Sequence, residues 1–264
     1  MPLEPSLINS NVPHSARIWN YWLGGKDCYE IDRHVGDQIV AANPHILDIA
    51  RAQRAFLVRA VEYLVSEAGI RQFLDIGTGL PTAGNTHEIA QRAAPESRIV
   101  YVDHDPVVLV HAEALLTSTP SGRTAYIDAD LRDPDGILEG AAKTLDLTQP
   151  TALMLLGIAA HITDDAVYDI VRRLVDALPP GSYLVFCDST EVVHPDQQRA
   201  MIKQWNEASD NPRVNRSPEE LTRFFDGLEL LDPGLVSVSR WRPESAASEP
   251  PAQVDSFGGV ARKS

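Results

Sequence analysis

The residues best suited to do chemistry lie in one short segment, where an apolar run containing a carboxylate ends in two glycines. The run extends from Phe73 to Ile76, and Gly77 and Gly79 follow it. Glycine accepts a positive φ and has no Cβ to keep a ligand away from the backbone. Asp75 lies inside the apolar run, where an unpaired carboxylate is costly and needs a partner. The pattern predicts a buried strand that ends in a turn at a ligand site.

A second acidic residue follows at the spacing of a nucleoside site. Residues 99–102 form another apolar run, and this run ends in Asp103, 24 residues after Gly79. An acidic residue about 20 residues past a glycine turn is well placed to accept hydrogen bonds from a ribose diol. The alternative is a plain strand-to-helix turn whose glycines only close a loop. The two acidic residues favour a nucleoside site over that alternative.

The identity of the nucleoside depends on a third glycine that this chain lacks. Dinucleotide-binding turns carry it where the helix packs on the strand, but residues 77–82 read Gly-Thr-Gly-Leu-Pro-Thr. This disfavours an NAD-linked oxidoreductase. The segment from Asp75 to Gly79 resembles motif I of the class I S-adenosylmethionine-dependent methyltransferases. The wider stretch from Leu74 to His87 resembles one bacterial branch, the S-adenosyl methyltransferase family once described as a domain of unknown function.

This resemblance implies S-adenosylmethionine as the cofactor and S-adenosylhomocysteine as its product. A carboxylate suits the cofactor's ribose diol, and another suits its adenine amino group. Asp130 matches the family position for the adenine contact better than Asp128 does. His104, beside Asp103, is expected to stack or hydrogen-bond near the adenine, and the alternative is an exposed loop histidine. The cofactor contacts implied by the resemblance are Asp75, Gly77, Thr78, Gly79, Asp103, His104, Asp130 and Leu131.

The order of elements predicts an α/β fold. Two helices are expected over about residues 29–41 and 44–68, and strands and helices then alternate from residue 71, as in a parallel sheet with crossover helices. Leu235–Trp241 and Phe257–Arg262 read as strands with no helix between them, so we expect them to be antiparallel. Together with the resemblance, this predicts a doubly wound, mostly parallel sheet of seven strands. We expect one structural domain, made of an N-terminal part (1–69) and the methyltransferase core (70–264).

An unusual aromatic cluster precedes the first predicted helix. Trp19, Tyr21 and Trp22 lie just before Gly24 and Gly25. One interpretation is a short helix that packs its aromatic side chains on the domain and is capped by glycine. The other is a lid over the ligand, with the glycines as its hinge. The stretch from residue 20 to residue 27 resembles the N-terminal signature of the same family, which favours the lid.

One histidine is a candidate for catalysis. His161 follows the predicted fourth strand, where small-molecule methyltransferases of this fold often carry a histidine. The alternative is a structural histidine that binds the loop at Thr163, which we expect to cap the next helix. The chain has no zinc-binding helix motif, serine-hydrolase elbow or phosphate loop. The leading hypothesis is a methyltransferase acting on a small molecule, and the alternative is a non-enzymatic protein that binds S-adenosylmethionine.

Composition limits the kinds of partner that we expect the protein to bind. The net charge of the 264 residues is −14, which disfavours nucleic acid because its binders present basic surfaces. Two cysteines, Cys28 and Cys187, provide neither a disulfide framework nor metal-ligand spacing, so no metal is expected. The N-terminus lacks the apolar segment of a signal peptide, and the longest apolar run, Ala152–Ala160, is too short to span a bilayer. We expect a cytoplasmic protein without a membrane partner, and the sequence does not indicate its oligomeric state.

Overall fold

Three helices precede the first strand. The computed structural model describes residues 9–80, 84–108, 118–209, 211–243 and 249–264. The helices are α1 (Ser15–Trp22), α2 (Glu30–Ala42) and α3 (Ile46–Ser66). Gly24 has a φ of +82° and its amide donates to the Tyr21 carbonyl over 2.9 Å, which ends α1 with the predicted glycine cap. Gly69, also at positive φ, follows the end of α3.

Five parallel strands and their crossover helices follow. The elements are β1 (Gln72–Ile76), α4 (Thr86–Ala93), β2 (Arg98–Asp103), β3 (Arg123–Asp128), α5 (Pro134–Ala141), β4 (Ala152–Leu156), α6 (Ala166–Asp176), β5 (Tyr183–Ser189) and α7 (Pro195–Ala208). The pair Asp105-Pro106 predicts a helix after β2 to about residue 116; a helical turn at residues 106–108 begins it, and residues 109–116 lie outside the described residues. The pair Asp133-Pro134 predicts another helix in the same way, and Pro134 begins α5 with the Asp133 side chain as its cap.

The C-terminal strands return antiparallel and complete the sheet. They are β6 (Glu229–Leu230), β7 (Val236–Ser237) and β8 (Ser256–Arg262), and α8 (Pro218–Thr222) precedes them. The strand order is β3-β2-β1-β4-β5-β8-β6, and β7 also pairs with β8. Because β8 lies antiparallel beside β5, the predicted α/β sheet, mostly parallel with an antiparallel C-terminal pair, is confirmed.

Three details of the prediction were wrong. The sheet has eight strands in the described part of the chain, not seven, because β6 and β7 pair with different parts of β8. The strand expected over Leu235–Trp241 is only two residues long, since a 3₁₀ turn follows it and carries Trp241 into the core. Thr163 does not cap α6, which begins at Ala166, where the amide binds the Asp164 side chain over 3.1 Å.

The two faces of the sheet pack against different helices. Side chains alternate along a strand, so Phe73 faces the core shared with α3, while Leu74 and Ile76 face the core shared with α5 and α6. Asp75 is therefore on the α3 side of the sheet. None of the helices within the described ranges is long and apolar enough to cross a membrane.

Candidate active site

A cavity lies at the carboxyl ends of the central parallel strands, the usual ligand position in an open α/β sheet. It contains about 1300 Å³ of empty space, counted to its open mouth. Its walls come from α1, α3, the glycine turn after β1, the start of α4, and the ends of β2 and β4.

One row of polar side chains crosses three strands on the α3 side of the sheet. Asp75 on β1 is the register partner of Tyr101 on β2, and Tyr101 is the partner of Tyr126 on β3. All three residues line the cavity. The Tyr101 hydroxyl accepts a hydrogen bond from the His87 amide over 2.8 Å, which joins this row to the first turn of α4. The sheet therefore supplies a row of polar groups to the cavity.

The Asp75 carboxylate is buried but has the partner that the sequence argument required. The Thr86 hydroxyl donates a hydrogen bond to its Oδ2 over 2.7 Å. Burial raises the pKa of Asp75 to about 6, although the Thr86 hydrogen bond and the positive charge of Arg54 act in the opposite direction. Near neutral pH the carboxylate is charged, and a cation beside it would hold it in that form.

The two glycines of the turn are needed for different structural reasons. Gly77 has a φ of +76°, and a Cβ there would come within 2.6 Å of the Ile158 side chain. Gly79 has a φ of +62°, and the nearest atom to its missing Cβ is 3.9 Å away, on Ala16. Gly77 is therefore required by the packing of the turn against β4. Gly79 leaves open space along the cavity wall. A ligand that approaches the backbone closely needs this space.

Asp103 lies at the end of β2 and binds the glycine turn. Its Oδ2 accepts a hydrogen bond from the Gly79 amide over 2.9 Å, and its Oδ1 accepts from the amides of His104 and Asp105. Burial raises its pKa, and the Gly79 and Asp105 amides oppose this shift. A carboxylate has about four acceptor positions, so these three bonds leave capacity for a ligand hydroxyl. Asp103 and His104 both line the cavity.

His161 lines the cavity beyond the end of β4 and is nine-tenths buried. Burial and, after it, the positive charge of Arg213 lower its pKa to about 3, while the neighbouring Asn211 acts in the opposite direction. Its Nδ1 is covered by protein and has no hydrogen-bond partner among the described residues. The imidazole is therefore neutral near neutral pH.

The three predicted aromatic residues of α1 point in different directions. Trp19 lines the cavity, whereas the Tyr21 hydroxyl binds Asp37 over 2.7 Å and Trp22 is buried in the core with its Nε1 on the Gly36 carbonyl. At Gly25, a Cβ would lie 2.2 Å from the Asn20 side chain. In this structure α1 is a packed helix with a tight glycine turn. Its movement as a lid stays a prediction.

Two predicted cofactor contacts lie away from the cavity. Asp130 binds the amide and the guanidinium of Arg132, and Leu131 packs in the core beneath α5. Their contact with adenine stays a prediction. The sequence analysis missed Arg54, Tyr101, Tyr126 and Asn211, which line the cavity. The tyrosines could have been found, because a polar group within an apolar strand is the same signal that Asp75 gave.

Comparisons with known proteins establish the family. The sequence model of the S-adenosyl methyltransferase family matches residues 2–264. The chain belongs to this family. It is 45% identical to a DUF574 family protein from Streptomyces avermitilis MA-4680, over 97% of this chain and 99% of that one, with a TM-score of 0.92. It is 40% identical to a candidate methyltransferase from Thermobifida fusca YX, over 98% of this chain and 97% of that one, with a TM-score of 0.90.

A more distant structure shows the fold of this S-adenosyl methyltransferase. The magnesium protoporphyrin IX methyltransferase from Synechocystis PCC 6803, solved with bound S-adenosylhomocysteine, is 11% identical over 94% of this chain and 93% of that one, with a TM-score of 0.53. No curated protein matches the chain in sequence. The predicted family, the methyltransferase activity and the cofactor S-adenosylmethionine are confirmed.

The cavity fits this cofactor by its own chemistry. The open space at Gly79 admits a ligand against the backbone, and Asp103 has acceptor capacity for a ribose diol. Asp75 offers a buried carboxylate to an ammonium group. Within the described ranges, no group of three or more His, Cys, Asp or Glu side chains is arranged to hold a metal ion.

Proposed function

We propose that the protein methylates a hydroxyl group of an uncharged small molecule, which it holds beside His161. The observation that carries the proposal is the composition of the cavity wall formed by α1, α3 and the end of β4. This wall combines apolar side chains with His161, which is neutral near neutral pH, and with the polar side chains of Asn20, Gln53 and Arg54. Its apolar members are Trp19, Leu23, Leu57, Leu156 and Ile158. Apolar walls with a few polar groups hold uncharged, largely apolar ligands and orient them.

The proposed division of the cavity follows the strand ends. S-adenosylmethionine, when bound, supplies an electrophilic methyl group. We assign Asp75, Gly77, Thr78 and Gly79 to its amino-acid end, and Asp103 and His104 to its nucleoside end. The position of these six residues in the cavity lining supports the assignment. Catalysis then consists mainly of aligning the acceptor and excluding water, for which the apolar side chains around His161 are suited.

His161 is assigned a positioning role toward the acceptor. Its imidazole ring accepts a hydrogen bond from the acceptor hydroxyl, which fixes the direction of the oxygen lone pair. A histidine with a pKa of about 3 is a weak base toward an ordinary alcohol. The hydroxyl proton becomes strongly acidic once the oxygen is methylated, and the imidazole is then the nearest proposed acceptor for it.

Three broader predictions accompany this proposal. The net charge of −14 supports an acceptor other than nucleic acid. The position of Trp19 in the cavity supports a contact between α1 and a bound ligand. A cytoplasmic location stays a prediction from the N-terminal sequence.

A matched set of acceptors tests the proposal. S-adenosylmethionine with an isotopically labelled methyl group is incubated with the wild-type protein and naphthalene derivatives that carry a hydroxyl, amino, carboxylate or thiol group. We expect label in the hydroxyl compound, with an equal amount of S-adenosylhomocysteine, and loss of this transfer in His161→Phe. Transfer to the amine or the carboxylate, with none to the hydroxyl, would contradict the proposal.

A further inference from the structure

The cavity carries opposite charges close to the glycine turn. Asp75 on β1 and Arg54 on α3 both line it, and the charge of each affects the other's pKa. Asp75 is almost fully buried, and Arg54 is partly buried. Burying a charge is costly unless an opposite charge compensates it. Each of the two side chains therefore stabilises the ionised form of the other.

The structure places the Arg54 guanidinium at the start of α4. Its Nη2 donates a hydrogen bond to Asn85 Oδ1 over 3.3 Å and lies 4.0 Å from where a Cβ on Gly84 would be. Thr86, the next residue, donates to the Asp75 carboxylate. Asn85 and Thr86 thus direct a guanidinium and a carboxylate to the same end of the cavity.

The amino-acid end of the cofactor is a zwitterion, with one carboxylate and one ammonium group. We propose that Arg54 binds the carboxylate of this end while Asp75 faces its ammonium group. A guanidinium has five N–H donors in a planar fork and binds a carboxylate through two parallel hydrogen bonds. The proposal rests on S-adenosylmethionine being the cofactor, and it gives α3 a specificity role outside the family's glycine motif.

A comparison of two ligands isolates this contact. S-adenosylhomocysteine carries the whole amino-acid end, and its decarboxylated analogue lacks only the carboxylate. Calorimetric titration of both ligands is performed on the wild type, Arg54→Gln, Arg54→Lys and Arg51→Gln. Arg51 lies one turn earlier on α3, is largely exposed and binds Asp48, so it is the matched control.

We expect Arg54→Gln to weaken S-adenosylhomocysteine binding by about 10- to 100-fold, as loss of hydrogen bonds between charged groups does. At about pH 8, where Asp75 stays ionised without the Arg54 charge, its affinity for the decarboxylated analogue should stay within about twofold of wild type, because that ligand has no carboxylate to lose. Arg54→Lys should retain part of the affinity, and Arg51→Gln all of it. Retained binding of the analogue also shows that the variant is folded.

Two results would overturn the inference. One is equal weakening of both ligands in Arg54→Gln and Arg54→Lys, which would make Arg54 a structural partner of Asp75 and α4. The other is unchanged binding of S-adenosylhomocysteine in Arg54→Gln. Failure of the wild type to bind any nucleoside ligand is a different result, and it would contradict the cofactor assignment itself.

Discussion

The Gly79 amide donates a hydrogen bond to the Asp103 carboxylate over 2.9 Å, which ties the turn after β1 to the end of β2. One carboxylate therefore holds the glycine turn in place and faces the cavity. This relation explains why a glycine turn and an acidic residue 24 positions later form one site. It also means that Asp103 contributes to both loop geometry and ligand binding.

Asp103→Ala is expected to weaken binding of S-adenosylhomocysteine by about 1–3 kcal/mol, since the ribose diol loses its acceptor in a buried site. Calorimetric titration measures the change. Asp128→Ala is the control, because Asp128 is the exposed register partner of Asp103 on β3 and does not line the cavity. Equal affinity of Asp103→Ala and the wild type would refute the assignment of the ribose contact.

Gly77→Ala is expected to destabilise the fold through two separable effects. The positive φ costs a non-glycine residue about 1–2 kcal/mol, and the overlap with Ile158 adds about 1–3 kcal/mol. Gly227→Ala isolates the first effect, because Gly227 has a φ of +80° and no atom within 4 Å of a Cβ. Urea unfolding should show a larger loss for Gly77→Ala. Because the Ile158 Cβ is itself among the overlapping atoms, Gly77→Ala should lack the overlap cost only when it is combined with Ile158→Gly and compared with Ile158→Gly alone. Equal losses in the two single variants would exclude the overlap.

The affinity for S-adenosylhomocysteine should depend on pH through Asp75. Its pKa is raised to about 6, and a ligand ammonium group binds the ionised form. Binding should therefore be strongest above pH 6 and fall by about tenfold per pH unit well below it, because the proton must first leave. Asp75→Asn should bind more weakly above pH 6 and lose this dependence. A wild-type affinity that is constant between pH 4.5 and about 7.5 would argue against an ammonium contact at Asp75.

His161 should remain neutral across the range in which free histidine titrates. The lowered pKa of about 3 means that its imidazole signals in NMR spectra stay constant between about pH 5 and 8. His161→Phe should leave S-adenosylhomocysteine affinity nearly unchanged and lower kcat by at least about tenfold, since orientation of the acceptor is lost. Titration of His161 near pH 6.5 would show that burial does not control its charge.

Trp19 and Tyr21 should respond differently to substitution. Trp19 lines the cavity, so Trp19→Ala is expected to weaken ligand binding, whereas Tyr21→Phe removes only a hydroxyl bonded to Asp37 outside it. Hydrogen exchange of the amides of residues 16–27 should slow when ligand binds, if α1 closes over the site. Exchange that is unaffected by ligand would assign α1 to packing alone.

The sequence predicted the part of the site that is built by short segments. Parallel strands end at one edge of the sheet, which brings together Asp75, Gly77, Gly79 and Asp103. The alternation of strands and helices and the spacing of these residues are visible in the sequence. The contribution of Arg54 was missed, since the direction of a charged side chain on α3 depends on how that helix packs against α4. The directions of the aromatic residues on α1 likewise depend on the packing of α1 against α2 rather than on their composition.

The short C-terminal strands also could not be predicted from local sequence. Residues 235–241 have the composition of one strand, but only Val236 and Ser237 pair with β8. The chain then turns so that Trp241 packs edge-on against Phe56 of α3, with ring centroids 5.4 Å apart. A tertiary contact therefore ends the strand, and local composition carries no signal of it.

Parallel calorimetric titration of the wild-type protein with S-adenosylhomocysteine and NAD tests the central claim most directly. The account predicts that S-adenosylhomocysteine binds one site per chain, that Asp103→Ala weakens this binding, and that NAD gives no heat of binding. Saturable binding of NAD with no response to S-adenosylhomocysteine would contradict it.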